Sequence, residues 1–110
     1  MAMKRMLFVL SFIAIVGLVA SGAFAEKSAS MSLGELKFKE HCAVCHPDGG
    51  NIINPKKTLH KKDLAANKMA SAAAITKNMR NPGAGMTRFD EKTVPKKEAN
   101  AIAGYILKTF

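Results

Sequence analysis

The chain has 110 residues, with 17 Lys and Arg against 8 Asp and Glu, for a formal charge of +9. That length suggests one domain. The positive charge is a poor argument for nucleic acid, because no aromatic residues are interleaved with the lysines as stacking platforms.

The first segment reads as an export signal. Lys4 and Arg5 form a basic start, residues 7–20 are apolar and uncharged, and residues 23–25 read Ala-Phe-Ala. This is the pattern of a signal peptide over residues 1–25 with cleavage after Ala25. The alternative is an uncleaved anchor, since the uncharged run 7–25 is just long enough to span a bilayer. No cysteine follows the apolar run, so a lipid anchor has no attachment point there. Residues 26–110 form the expected mature domain, with 15 Lys and Arg remaining against 8 Asp and Glu. They hold no second apolar run, so no span is expected after cleavage.

Ser32 and Glu35 have the spacing of a capping box. The helix they open is expected to run to about Cys45, with Gly34, Phe38 and Cys42 on one stripe. Residues 47–55, "PDGGNIINP", are turn-rich. A short helix is expected over 61–66, with Asn67 as its stop. Ser71 reads as the N-cap of a third helix, whose apolar face carries Ile75 and Met79. "NPGAGMTRF" at 81–89 ends it. The last helix begins near Pro95, and Ala99, Ile102, Ala103, Ile106, Leu107 and Phe110 follow a helical apolar period. No segment alternates over strand length, so the predicted fold class is all-α. Phe38, Phe89 and Tyr105 are the aromatics available to a core, with Phe110 set aside as terminal. A core this thin calls for a staple or a large apolar cofactor.

"EHCAVCHPDGG" at 40–50 holds both cysteines. Cys42, Cys45 and His46 form C-x-x-C-H, in which two thiols can bond to haem vinyl groups beside an imidazole that reaches the iron. Two other readings compete. A closed zinc site needs four ligands around the ion, and His41, Cys42, Cys45 and His46 are too crowded to supply them. A redox dithiol of the thioredoxin kind needs a βαβ context. Covalent haem is the reading that the export context favours.

His46 is then the proximal iron ligand. Methionine is the usual second ligand in high-potential cytochromes c. The candidates are Met31, Met69, Met79 and Met86. Met79 continues the Ile75 face and reads as core. Met86 follows Gly83-Ala84-Gly85, where the backbone can approach a haem closely, and is the predicted distal ligand. His41 and His60 are expected to be solvated rather than ligating.

The segment "GELKFKEHCAVCHPDGGNIINPKKTL" resembles the start of cytochrome c6-type proteins. "NKMASAAAITKNMRNPGAGMTRF" resembles that family's helix and methionine loop, and "EANAIAGYIL" its C-terminal helix. The resemblance covers about residues 34–107 in order and spacing, and extends to monohaem cytochromes of metal-reducing bacteria. It implies a class I cytochrome c fold with crossed N- and C-terminal helices around one covalently bound haem c. It implies Cys42 and Cys45 as thioether sites and His46 and Met86 as axial ligands. It also implies Gly34 and Phe38 packed on the helix that carries Tyr105. Thr87-Arg88 departs from the family's Pro-Ala after the ligand, and Asn78 stands where the family often has Gln.

The expected function is one-electron transfer rather than enzymic catalysis, since no nucleophile–base pair or acidic pair is visible. Bacterial respiratory or metal-reducing transport is the expected setting, with a photosynthetic cytochrome c6-type carrier as the alternative. A haem enzyme or sensor with an open sixth position is the further alternative. Lys56, Lys57, Lys61, Lys62, Lys96 and Lys97 suggest steering toward a redox partner with an acidic docking patch. The expected protein is a monomer, periplasmic or otherwise exported, with no nucleic-acid partner.

Overall fold

A computed structural model describes residues 31–110, and its compact unit is Ser32–Phe110. The leader expected over residues 1–25 and its cleavage site lie outside the described residues. Among the described residues four α-helices follow in order: α1 (Leu33–His41), α2 (Lys61–Ala66), α3 (Ala72–Arg80) and α4 (Lys96–Thr109). A single 3-10 turn, Pro47–Gly49, lies between α1 and α2. No strand occurs among the described residues, and the fold is the all-α arrangement that the apolar periods predicted.

Helix α1 starts where Ser32 Oγ accepts from the Glu35 N–H at 3.1 Å. The Glu35 carboxylate accepts from Lys39 one turn later, at 2.9 Å. The helix stops at His41, four residues before the expected end at Cys45. The reason is local. The N–H groups of Cys42 and Ala43 both donate to the Phe38 carbonyl, at 2.8 and 2.9 Å, so the ladder loses its one-to-one register. The chain then makes one further turn, with His46 N–H donating to the Cys42 carbonyl at 2.9 Å. The cysteines therefore sit in a turn beyond the helix rather than on it.

Helices α1 and α4 pack directly, and α3 packs on α4. Gly34 makes the first contact possible, because a Cβ there would collide with the Ala101 carbonyl oxygen and lie 2.8 Å from its carbon. The buried core runs through Phe38, Leu64, Ile75, Met79, Val94, Ala99, Ile102, Ala103 and Ile106. Phe110 corrects one expectation. It is partly buried against this core, with ring centroids 5.4 Å from Phe38 and 5.8 Å from Tyr105. The same ring lies on Gly49, where it would stand 2.6 Å from any added Cβ. Gly49 has φ +77°, so it is required both for its backbone angle and for this close approach.

The shorter helices are held by their ends. Asn67 closes α2 by donating to the carbonyl of Asp63 at 2.9 Å and of Lys56 at 3.3 Å. Ser71 Oγ caps α3 by accepting from the Ala74 N–H at 3.1 Å. Before α4, Asp90 Oδ1 accepts from the N–H groups of Lys92 and Thr93, which turns the chain toward buried Val94. No helix among the described residues is long and apolar enough to cross a membrane.

Candidate functional site

Cys42, Cys45, His46 and Met86, four residues singled out from the sequence, border one cleft of about 300 Å³. Its walls are mainly apolar: Leu59, Met69, Ile75, Met79, Phe89 and Ile106 all contribute. The turn after α1 supplies the thiols and the imidazole, the end of α3 supplies Asn78 and Met79, and the loop beyond it supplies residues 83–87.

The imidazole of His46 is oriented by its own chain. Its Nδ1 lies 2.7 Å from the Gly50 carbonyl oxygen. A carbonyl can only accept, so Nδ1 carries the proton and Nε2 is the nitrogen left for a metal. This bond exists because the 3-10 turn and Gly49 bring the chain back: Gly49 N–H donates to the His46 carbonyl and Gly50 N–H to the Pro47 carbonyl. Asn51 extends the same loop. Its Oδ1 accepts from the N–H groups of Ile53 and Asn54, and its Nδ2 donates to the Lys57 carbonyl, each at 2.9 Å.

Cys42 and Cys45 are not joined to each other, and both border the cleft. Burial pushes the Cys42 thiol up to about 11, with Cys45 adding to the shift. Among the described residues, no group of three or more His, Cys, Asp or Glu is placed to hold a metal ion.

Met86 is half-buried, and the Asn78 side-chain N–H donates toward its sulfur at 3.5 Å. Asn78 was visible in the sequence only as a departure from a family pattern; its approach to the sulfur depends on how the loop folds back on α3. Met79 is only 4% exposed and belongs to the core, as the Ile75 face predicted, although it also borders the cleft. Met69 borders it too.

His41 corrects a second expectation. Rather than being solvated, its side chain is 16% exposed and borders the cleft. Its Nε2 lies 3.5 Å from Glu40 Oε1, and its ring meets Phe89 edge-on at 6.1 Å. His60 is exposed, as expected, and its ring meets Phe110 edge-on.

Two thiols, an oriented imidazole and a thioether around an apolar cleft match the needs of a covalently held haem. The family comparisons decide the matter. A sequence model of the family described as "Cytochrome C oxidase, cbb3-type, subunit III" matches residues 29–106. A cytochrome c6 of Rippkaea orientalis is 37% identical over 107 residues, spanning 96% of this chain and 93% of that protein. This chain belongs to the cytochrome c6-like monohaem cytochromes c.

A second relative of this cytochrome, a cytochrome c6 of Cyanidioschyzon merolae, is 38% identical over 80 residues, 73% of this chain and 75% of that protein. Among solved structures, the outer membrane cytochrome OmcF of Geobacter sulfurreducens superposes with a TM-score of 0.68 at 39% identity. The match covers 70% of this chain and 98% of that one. Cytochrome c6C of Synechococcus gives 0.66 at 31% identity, covering 70% of this chain and 93% of that one. The cytochrome has the class I cytochrome c fold, and its family cofactor is covalently bound haem c. It is a c-type electron carrier.

Proposed function

We propose that this cytochrome carries single electrons on one haem joined to Cys42 and Cys45, with His46 and Met86 as axial ligands. The observation that carries the reading is the convergence of these four side chains on one cleft, with His46 Nδ1 already committed to the Gly50 carbonyl. When bound, haem supplies one-electron iron chemistry, and the protein sets its potential through ligands, burial and neighbouring dipoles. The role of this chain is to hold Nε2 and the Met86 sulfur at the cleft and to keep water from most of its walls. No enzymic role is proposed.

The ligand assignment is tested by paired substitutions in the haem-loaded protein. Met86→Leu should lose the methionine-to-iron charge-transfer band, lower the midpoint potential and let external ligands bind. Met79→Leu should keep the band and cost less than about 1.5 kcal/mol, as volume-conserving core exchanges do. The reverse pattern in optical spectra would transfer the ligand role to Met79.

Export through a leader over residues 1–25 is part of the reading, since haem of this type is held by cysteines in a compartment where free thiols oxidise. Likeness to OmcF supports a respiratory or metal-reducing setting. The cytochrome c6 relatives support a photosynthetic setting equally well. Reduction assays with respiratory and with photosynthetic donors from the source organism separate the two.

The proposed partner surface lies on the side of the cleft to which Val44, Ile53 and Lys57 contribute. Val44 is 77% exposed, and Ile52 and Ile53 are also well exposed. Exposed Lys56 and Lys57 follow them in the same loop. A small apolar contact with a basic rim suits brief docking to an acidic partner by a monomer. The association rate should fall as salt rises, since the screening length shrinks from about 10 Å at 0.1 M to about 3 Å at 1 M. Stopped-flow rates that do not respond to ionic strength would leave these lysines as a solubility feature only.

A further inference from the structure

The loop that carries Met86 is held unequally along its length. Its first part is open, since Gly83 has nothing within 4 Å of where a Cβ would sit, while a Cβ at Gly85 would stand 3.2 Å from Ile53 Cγ2. Gly85 has φ +90°, a backbone angle that other residues resist. The base is tied by three hydrogen bonds. Phe89 N–H donates to the Met79 carbonyl at 2.9 Å. Arg80 Nη1 donates to the carbonyls of both Phe89 and Asp90, each at 3.0 Å. Arg80 is the last residue of α3 and is partly buried. Its guanidinium therefore joins the end of one helix to the two residues that follow the loop.

Those carbonyls are connected in two directions. The Asp90 carbonyl also accepts from Val94 N–H at 3.0 Å, and Val94 is 1% exposed in the core beside α4. Phe89 borders the cleft and packs on His41. On the other side, the chain runs from Phe89 to Met86 in three residues. Charge-assisted bonds are stronger than neutral ones. Releasing this pair would free the loop while leaving the α1–α4 crossing in place.

We propose that Arg80 is a positioning residue for the distal ligand. By clamping the Phe89 and Asp90 carbonyls it closes the 81–88 loop and keeps the Met86 sulfur at the cleft. The inference rests on the reading of Met86 as axial ligand. Arg80 touches no reacting atom; it sets how often the loop opens, which is a local event distinct from global unfolding.

The test is an optical titration of the haem-loaded ferric protein with imidazole, which must displace Met86 to bind iron. Arg80→Met keeps a long apolar stem and removes the donors. Arg80→Lys keeps the charge but not the planar fork. Ser32→Ala removes the distant α1 cap and lowers global stability without touching the loop. Arg80→Met should raise imidazole affinity about tenfold or more, the response expected when closing bonds are lost from a local opening equilibrium. Arg80→Lys should fall between it and the parent, and Ser32→Ala should match the parent. The clamp is overturned if both Arg80 variants bind imidazole as the parent does. It is equally overturned if Ser32→Ala raises affinity as much for the same loss of global stability. Should Arg80→Met fail to fold, Arg80→Lys decides by the same criterion. Met86→Leu separates the two levels. A Met86→Leu protein with the parent's spectrum and imidazole affinity removes the ligand reading itself. A Met86→Leu protein that opens the site, beside Arg80 variants that do not, leaves that reading and removes only the clamp.

Discussion

Gly34→Ala should destabilise the protein by roughly 3 kcal/mol or more, at the upper end of the range for overpacking. Two effects oppose each other. Alanine is the better helix former, which favours the variant by about 1 kcal/mol in a helix interior. Against that, the new Cβ would collide with the Ala101 carbonyl oxygen and stand 2.8 Å from the Ala101 carbon and 2.9 Å from Tyr105 Cβ. The Ala101 atoms are backbone, so no side-chain rotation relieves the clash, and α1 must move off α4. That movement pulls Phe38 away from Tyr105 and Phe110, and disturbs the packing of Ile102 and Ala103, which are almost fully buried. Stability of small domains is about 5–15 kcal/mol, so this is a large fraction of it. Guanidinium unfolding of the ferric protein measures the loss. Leu36→Ala, at an exposed position on the same helix, serves as the control and should change little. A Gly34→Ala protein as stable as the parent would mean that the helices do not touch at this point.

Cys42→Ala/Cys45→Ala should yield an exported chain without covalent haem and without a cooperative thermal transition. The core is thin: among the described residues nine apolar side chains are buried, and several of them also wall the cleft. Ile75, Met79, Leu64 and Ile106 serve both purposes. A chain that cannot retain the group must either let these walls collapse or expose them to water. Keeping apolar surface out of water is worth about 25 cal/mol per Å², so walls left wet weaken a domain whose whole stability is about 5–15 kcal/mol. Mass spectrometry reads the haem and circular dichroism reads the transition. A haem-free variant that is fully helical and melts cooperatively would show that residues 32–110 fold on their own packing.

The local parts of this fold are legible in the sequence because their causes are local. Ser32 and Ser71 cap helices through bonds to N–H groups three residues away. The apolar period of α4 marks its buried face, and Asn67 ends α2 through a bond four residues back. C-x-x-C-H is contiguous, so its chemistry needs no tertiary contact to be recognised. Helix α1 ends four residues before the sequence suggests, because propensity does not foresee two N–H groups sharing the Phe38 carbonyl.

What only the tertiary structure decided depends on groups distant along the chain. The sequence reads His41 as a solvated residue just before the cysteines, yet Phe89, 48 positions later, meets its ring edge-on. Phe110 looks peripheral until its ring meets Gly49 and Phe38. The sequence marks Asn78 only as a departure from the family's Gln, and it singles out nothing at Arg80. Their approach to the Met86 sulfur and to the Phe89 and Asp90 carbonyls requires the loop to fold back on α3. Composition and spacing thus determined the cofactor chemistry and the helix set, because bonds over three or four residues are written into adjacent letters. The surroundings of Met86 were decided by packing, because a loop without a repeating pattern takes its shape from what it is pressed against.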